Sequence, residues 1–324
     1  NSGIVHVVDD VTYKVLEFYN GKNRDMVLAN LSSSYDEKEL NEVMDDLDEL
    51  IQKEVLFAPM DPNYKMAIED RPIIKALCLN IAHDCNLRCQ YCFAGQGGYG
   101  QWRMLMPFDV ARRGVDFLIA HSGPREHCEL DFFGGEPLMN FEVCKQLVAY
   151  ARSIEKEKGK NFRFTLTTNG IGITDEVIEW ANKECYNVVL SLDGRKEVND
   201  RFRVDCAGNG SYDRIVPKFQ EFVKKRGDKG YYMRGTFTHY NTDFTNDIFH
   251  MADLGFTELS MEPVVCDPSD PSALTEADLP ILKEQYEILA KEMIKRNREG
   301  RGFTFYHYMI DLTGGPCIYK RISG

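Results

Sequence analysis

Three cysteines stand at positions 85, 89 and 92 within the stretch HDCNLRCQYCF, residues 83–93. The C-x3-C-x2-C spacing gathers three soft sulfur donors in one loop, and thiolates that close call for a metal. Three chemistries compete for them. A structural zinc site needs four ligands; His83 is available, but it sits so near Cys85 in the chain that tetrahedral closure is awkward. Buried core thiols are the second option, opposed by the polar Asn86, Arg88 and Gln90 between the cysteines. The third is an iron–sulfur cluster. Ferredoxin-type clusters take four cysteines, and no fourth lies nearby. A four-iron cube on three cysteines would leave one iron open to a ligand offering an amine and a carboxylate.

These residues need elements to position them. After a Pro-containing stretch (Pro59, Pro62, Pro72) the chain alternates strand-like and helix-like segments. The strand-like runs are 75–81, 129–133, 162–168, 187–192, 232–238 and 258–265. Amphipathic helical stretches cover 108–120, 141–157, 174–184, 212–225 and 276–297, the last with Pro280 in its first turn. Strands alternating with helices imply a parallel sheet with right-handed crossovers. The unusual residues all follow strands: the cysteines the first, Gly134–Pro137 (GGEP) the second, Thr168-Asn169-Gly170 the third, and Ser191 with Asp193-Gly194 the fourth. In parallel β/α folds those strand ends share one face, where sites are built.

Upstream, residues 4–8 (IVHVV) read as a strand, Asp10 as the N-cap of a helix stopped by Gly21, 36–54 as an amphipathic acidic helix, and Val55–Phe57 as a closing strand. The resulting expectation is a small strand–helix–helix–strand unit over 1–58, a linker over 59–74, a β/α domain over 75–300 and the start of a further region over 301–324. Asn1-Ser2-Gly3 resembles a hairpin turn whose first strand is missing. The net charge of −12 argues against nucleic acid as a partner and suits a neutral or cationic peptide. No apolar run reaches membrane-spanning length. The ten cysteines are too few for a disulfide scaffold. Six of them (Cys78, Cys128, Cys144, Cys185, Cys206 and Cys266) are scattered and read as core thiols, which fits a reducing cytoplasm.

The cysteine spacing, with Tyr91 before the last cysteine and its place after the first strand of a β/α series, resembles the signature loop of radical S-adenosylmethionine (SAM) enzymes. That resemblance implies a partial (β/α)6 barrel in which Cys85, Cys89 and Cys92 hold a 4Fe-4S cluster and SAM chelates the open iron. An electron from a flavodoxin- or ferredoxin-type donor then cleaves SAM to methionine and a 5′-deoxyadenosyl radical, which takes hydrogen from the substrate. It also implies roles for the other strand ends. Gly134 and Gly135 let backbone approach closely, and Glu136 receives the SAM ammonium. Ser191 and Asp193 hold the ribose hydroxyls or the methionine end, and Asn169 adds a polar contact. Arg203 pairs with the SAM carboxylate, and Glu262-Pro263 touches the adenine.

The order CNLRCQYC, GGEP, TTNG, SLDG, followed by NGSYDRI, is similar to the SPASM/Twitch branch, which modifies ribosomal peptides and proteins. Residues 1–58 resemble a winged-helix peptide-recognition element, in which a precursor's leader adds as a strand to a sheet edge. Together these features look most like the thioether-forming maturases of the cysteine-rich SCIFF peptides. Epimerisation, decarboxylation and carbon–carbon crosslinking stay open within the class. A non-catalytic electron-transfer protein is the reading outside it, and GGEP speaks against that one. SPASM enzymes hold auxiliary clusters in a cysteine-rich C-terminal region; here Cys317 alone would begin one, which suggests a fragment of a longer protein.

Overall fold

A computed structural model of the chain describes residues 4, 6–59 and 73–309. They fall into two compact units divided near residue 70.

The first unit is helical. Helix α1 (Asp10–Leu16) is capped by Asp9, one residue before the expected cap, whose carboxylate accepts from the Thr12 amide at 2.8 Å. Helices α2 (Arg24–Leu31) and α3 (Glu37–Gln52) follow. Val15, Tyr19, Val27, Leu31, Leu40, Met44 and Leu47 form its core. The strands expected at 4–8 and 55–57 are absent among the described residues. β-propensity reflects fit to a half-buried surface, and Val7 in the first of these runs stands 98% exposed. The two segments still lie side by side, since His6 Nε2 is 3.1 Å from the Val55 carbonyl. Helix α2 escaped the sequence reading because its RDMVLANL run has no clear apolar stripe.

The second unit carries one eight-stranded sheet. Its strands are β1 (Ala76–His83), β2 (Met104–Leu105), β3 (His127–Gly134), β4 (Asn161–Thr168), β5 (Cys185–Ser191), β6 (Tyr231–Phe237), β7 (Glu258–Pro263) and β8 (Thr304–Phe305). Their order is β2-β1-β3-β4-β5-β6-β7-β8. All pairings are parallel except β1 with β2. The six long parallel strands match those expected from the sequence. The crossovers are α4 (Phe108–His121), α5 (Phe141–Lys158), α6 (Asp175–Glu184), α7 (Lys196–Phe202) with α8 (Tyr212–Arg226), and α9 (Thr245–Asp253); α10 (Leu279–Arg298) leads to β8. Because β8 pairs with β7, the sheet runs past residue 300, where the sequence suggested a new region.

Alternation along the strands sorts the two faces. Cys128, Leu130 and Phe132 of β3, Phe162, Phe164 and Leu166 of β4, and Met233 and Phe237 of β6 are buried in the core. The intervening positions (Asp131 and Phe133, Thr165 and Thr167, Arg234 and Thr236) are only partly covered or exposed. A parallel sheet covered on both faces reads as continuous apolar runs; polar residues at every second position mark a face that lines a cavity. Of the scattered cysteines, Cys128, Cys144 and Cys185 are buried as expected, whereas Cys78 and Cys206 are exposed and Cys266 half-buried. Cys78 lies on the uncovered side of β1, and Cys206 in the turn of a bridge between Val204 and Gly210. Among the described residues, no helix is long and apolar enough to cross a membrane.

Candidate active site

The cysteine loop leaves β1 at its C-terminal end. It is held by backbone bonds to the end of α7 and the residues just after it: the Gln90 amide donates to the Phe202 carbonyl at 3.1 Å and the Arg88 amide to the Val204 carbonyl at 2.7 Å. Leu87, 1% exposed, pins the loop to the interior. Two amides reach Cys85 Sγ, that of Leu87 at 3.4 Å and the side chain of Asn169 at 3.5 Å. N–H donors aimed at a sulfur suit a thiolate better than a thiol. Without a cation the opposite state holds: burial, and then the charge of Glu136, push Cys85 up to about 12. Burial raises Cys89 as well, against the opposing pull of Arg203. Three ionised sulfurs here therefore need positive charge between them. Among the described residues no three Cys, His, Asp or Glu side chains are grouped to hold a single ion, so the zinc reading finds no support.

The GGEP turn lies directly on this loop. The Gly135 amide donates to the Ala82 carbonyl at 2.7 Å and the Glu136 amide to Asp84 at 2.8 Å. A Cβ on Gly135 would stand 2.1 Å from the Asp84 oxygen, and Gly134 has φ +124°. The glycines are thus required by contact with the cysteine loop's own backbone. Glu136, 1% exposed, accepts from Thr168 Oγ1 at 2.7 Å, the Asn169 amide at 2.7 Å and the Leu138 amide at 3.1 Å. Burial pushes its carboxyl up despite these donors. Three acceptor positions are filled, which leaves lone-pair capacity for one more donor.

Asp193 is fully buried and does not line the cleft. It accepts from Tyr91 Oη at 2.5 Å and from the Thr236 amide at 3.1 Å. Arg203 Nη1 donates to the same Tyr91 oxygen at 3.0 Å. Asp193, Tyr91 and Arg203 therefore form one buried chain that ties the cysteine loop to the ends of β5 and α7. Arg203 is 7% exposed, lines the cleft, and has a buried Nε–H with no partner. A buried, unpaired guanidinium nitrogen is costly; the same guanidinium holds Tyr91 and lies 3.9 Å from Asp193 through Nη1.

Cys85, Cys89, Cys92, Gly134, Gly135, Glu136, Asn169, Ser191 and Arg203 all line one cleft at the C-terminal ends of the strands. Phe93, Phe133, Thr167, Arg234, Thr236, Glu262 and Val265 also line it. Phe133, Thr167, Arg234 and Thr236 were missed by motif reading; their signal was polarity or partial burial at alternate strand positions. Cys317 lies outside the described residues. The fit to a cluster with a SAM-like ligand rests on this donor set: three sulfurs on one loop, a carboxylate with spare acceptor capacity, and a guanidinium, all lining one cleft.

Comparisons with known proteins agree with this geometry. The model of the Radical SAM superfamily matches residues 79–262, more than half of the chain. The cysteine-type anaerobic sulfatase-maturating enzyme of Clostridium novyi is 26% identical over 141 residues, 41% of this chain and 36% of that protein. The radical SAM cyclopropyl synthase TigE of Paramaledivibacter caminithermalis is 24% identical over 261 residues, 74% of this chain and 54% of that protein. The chain thus spans about a third to a half of the length of these curated relatives. Among solved structures, native anSMEcpe with bound AdoMet and Kp18Cys peptide superposes with a TM-score of 0.63 at 20% identity, covering 73% of this chain and 64% of that one. Streptococcus suis SuiB bound to S-adenosylmethionine gives 0.52 at 15%, covering 93% and 67%; both share the fold. From the matched span and the cleft together, the chain belongs to the radical SAM superfamily.

Proposed function

We propose that this chain carries the catalytic barrel of a radical SAM peptide maturase. It would join a cysteine sulfur of a ribosomally made, cysteine-rich precursor to a carbon of an acceptor residue as a thioether. The carrying observation is the convergence of the three cysteines, Glu136 and Arg203 on one cleft. Cys85, Cys89 and Cys92 would hold a 4Fe-4S cluster. Arg203 and Ser191 would grip the SAM carboxylate, and Glu136 with the backbone around Gly135 would take its ammonium. When bound, cluster and SAM supply a carbon radical able to abstract hydrogen. The chain's part is to hold the amino-acid end of SAM, to orient the peptide along the inner face of the sheet and to keep water out.

A peptide substrate is supported by relatives named for sulfatase maturation and by the peptide bound in the anSMEcpe structure. The thioether product rests on the resemblance of motif order to the SCIFF maturases. A second reading, carbon–carbon bond formation, is favoured by the longest of the curated alignments described, with a cyclopropyl synthase. In the first reading residues 1–58 bind the leader. Cys317 would begin an auxiliary cluster site, and a flavodoxin- or ferredoxin-type protein would supply the electron.

Anaerobic reconstitution with iron and sulfide, reduction, and assay for 5′-deoxyadenosine test the enzyme class. Mass spectrometry of a treated cysteine-rich precursor then separates the products. Loss of two mass units with a blocked thiol is expected; an unmodified thiol beside a new carbon–carbon link would decide for the second reading.

A further inference from the structure

Four acidic or basic side chains line the cleft: Glu136, Arg203, Arg234 and Glu262. Three of them are engaged. Glu136 accepts three hydrogen bonds, and Arg203 holds Tyr91. Glu262, near the end of β7, accepts from Ser260 Oγ at 2.6 Å through Oε1, and its Oε2 lies 3.2 Å from His307 Nε2. Arg234 is the exception. Its guanidinium makes no hydrogen bond, ion pair or ring contact among the described residues, and its charge reaches Glu262 and Tyr232 only from beyond ion-pair distance.

Water can satisfy an exposed arginine, so its place in the fold matters more than its freedom. Along β6, Tyr231, Met233, Gly235 and Phe237 are buried, while Tyr232, Arg234 and Thr236 alternate with them on the other face. Arg234 is in register with Ser191 of β5, and the Leu192 amide donates to its carbonyl at 3.0 Å. Neighbouring strands lie about 4.8 Å apart, so Arg234 stands one strand away from a residue assigned above to the SAM carboxylate. SAM brings a single carboxylate, taken by Arg203 and Ser191 in that assignment, and its ammonium goes to Glu136. Arg234 then has no anion within ion-pair reach on the protein and none left on SAM. A second anion has to come with the substrate. The planar fork of a guanidinium matches a carboxylate with two parallel N–H···O bonds.

We propose that Arg234 binds a carboxylate of the substrate peptide, so that the segment entering the cleft carries an acidic side chain or ends in a free C-terminus. This rests on the peptide reading above and on Arg203 as the SAM carboxylate's partner. No bond is made or broken in the step; Arg234 fixes which part of the peptide lies against β6. The net charge of −12 repels acidic peptides at long range, so a preference for an acid has to arise from a local site.

Weak-affinity chromatography on the immobilised full chain tests this. The chain is reconstituted with iron and sulfide and kept saturated with SAM, without reductant, so that SAM stays intact. The probes are short synthetic peptides with a central cysteine and flanks drawn at random from Gly, Ala, Thr, Asp and Asn, made with either an amidated or a free C-terminus. Mass spectrometry of the fractions compares each acid with its neutral counterpart. On the wild type the acid should bind about 10- to 100-fold more tightly, the worth of one charge-assisted pair. Preference for Asp over Asn identifies a side chain, and preference for the free over the amidated end identifies a C-terminus. Arg234→Gln should abolish the preference, and Arg234→Lys should keep only part of it. Retention of peptides with no acid preference, or a preference that survives Arg234→Gln, overturns the carboxylate site and leaves the peptide reading standing. Retention of no peptide at all overturns the peptide reading, and the site with it. Equilibrium dialysis of SAM is the companion measurement: an affinity loss of about 10-fold in Arg234→Gln, with the acid preference intact, would make Arg234 a SAM contact instead.

Discussion

Arg203 and Gly135 make opposite demands at the scale of single residues. Arg203 is buried with one donor to spare, so its worth lies in what it binds. Arg203→Lys keeps the charge and loses the planar fork; SAM affinity should fall about 10- to 100-fold, the equivalent of one charge-assisted bond of roughly 1.5–3 kcal/mol. Equilibrium binding of SAM to the reconstituted protein measures it, and an unchanged affinity would show that the spare donor faces something else. Gly135→Ala puts a methyl group 2.1 Å from the Asp84 oxygen, so the cysteine loop has to move. Iron bound per chain after reconstitution should fall well below that of the wild type while the sheet's circular dichroism persists. Cys85 gives a pH prediction. Its folded-state pKa of about 12 lies above the ordinary 9.0, so the unfolded chain sheds this proton first. Cys85 therefore supports the cluster-free fold below pH 9, and that support is lost as pH rises from 9 towards 12. Urea midpoints across that window, compared between wild type and Cys85→Ala, should converge at the alkaline end.

Between elements, the cysteine loop is not a free appendage of β1. It is stitched by main-chain bonds to the strip that follows α7. Arg88→Pro removes the amide that donates to Val204 and should free the loop at a cost of roughly 1–3 kcal/mol, seen as lost cluster content with the helices and sheet retained. This strip explains what the sequence did and did not disclose. The six long strands were legible because their apolar alternation and their flanking helices repeat. The cysteines, GGEP and the strand-end turns were legible because their residue types are unusual. Asp193 was legible as a site residue but not in its position: facing Tyr91 rather than the cleft depends on α7, whose seven residues carry too little periodicity to read. The strands expected at 4–8 and 55–57 mark the opposite limit, since β-branched composition there does not give strand geometry among the described residues. His307 had no signal at all; only the addition of β8 brings it beside Glu262.

For the whole molecule, the proposal divides the labour between the two units. Deleting residues 1–58 should raise the Kd for a precursor with its leader by 10-fold or more, while 5′-deoxyadenosine formation without peptide continues. Equal affinity of the two proteins for the leader peptide, by fluorescence anisotropy, would refute that division. The strand order carries a last consequence. Among the described residues the sheet ends at β2 on one side and β8 on the other, with no pairing between them. A ring left open along its side can admit the middle of a polymer, with no free end to thread. A precursor closed head-to-tail should then be modified at a rate close to that of the linear one, provided its leader is present.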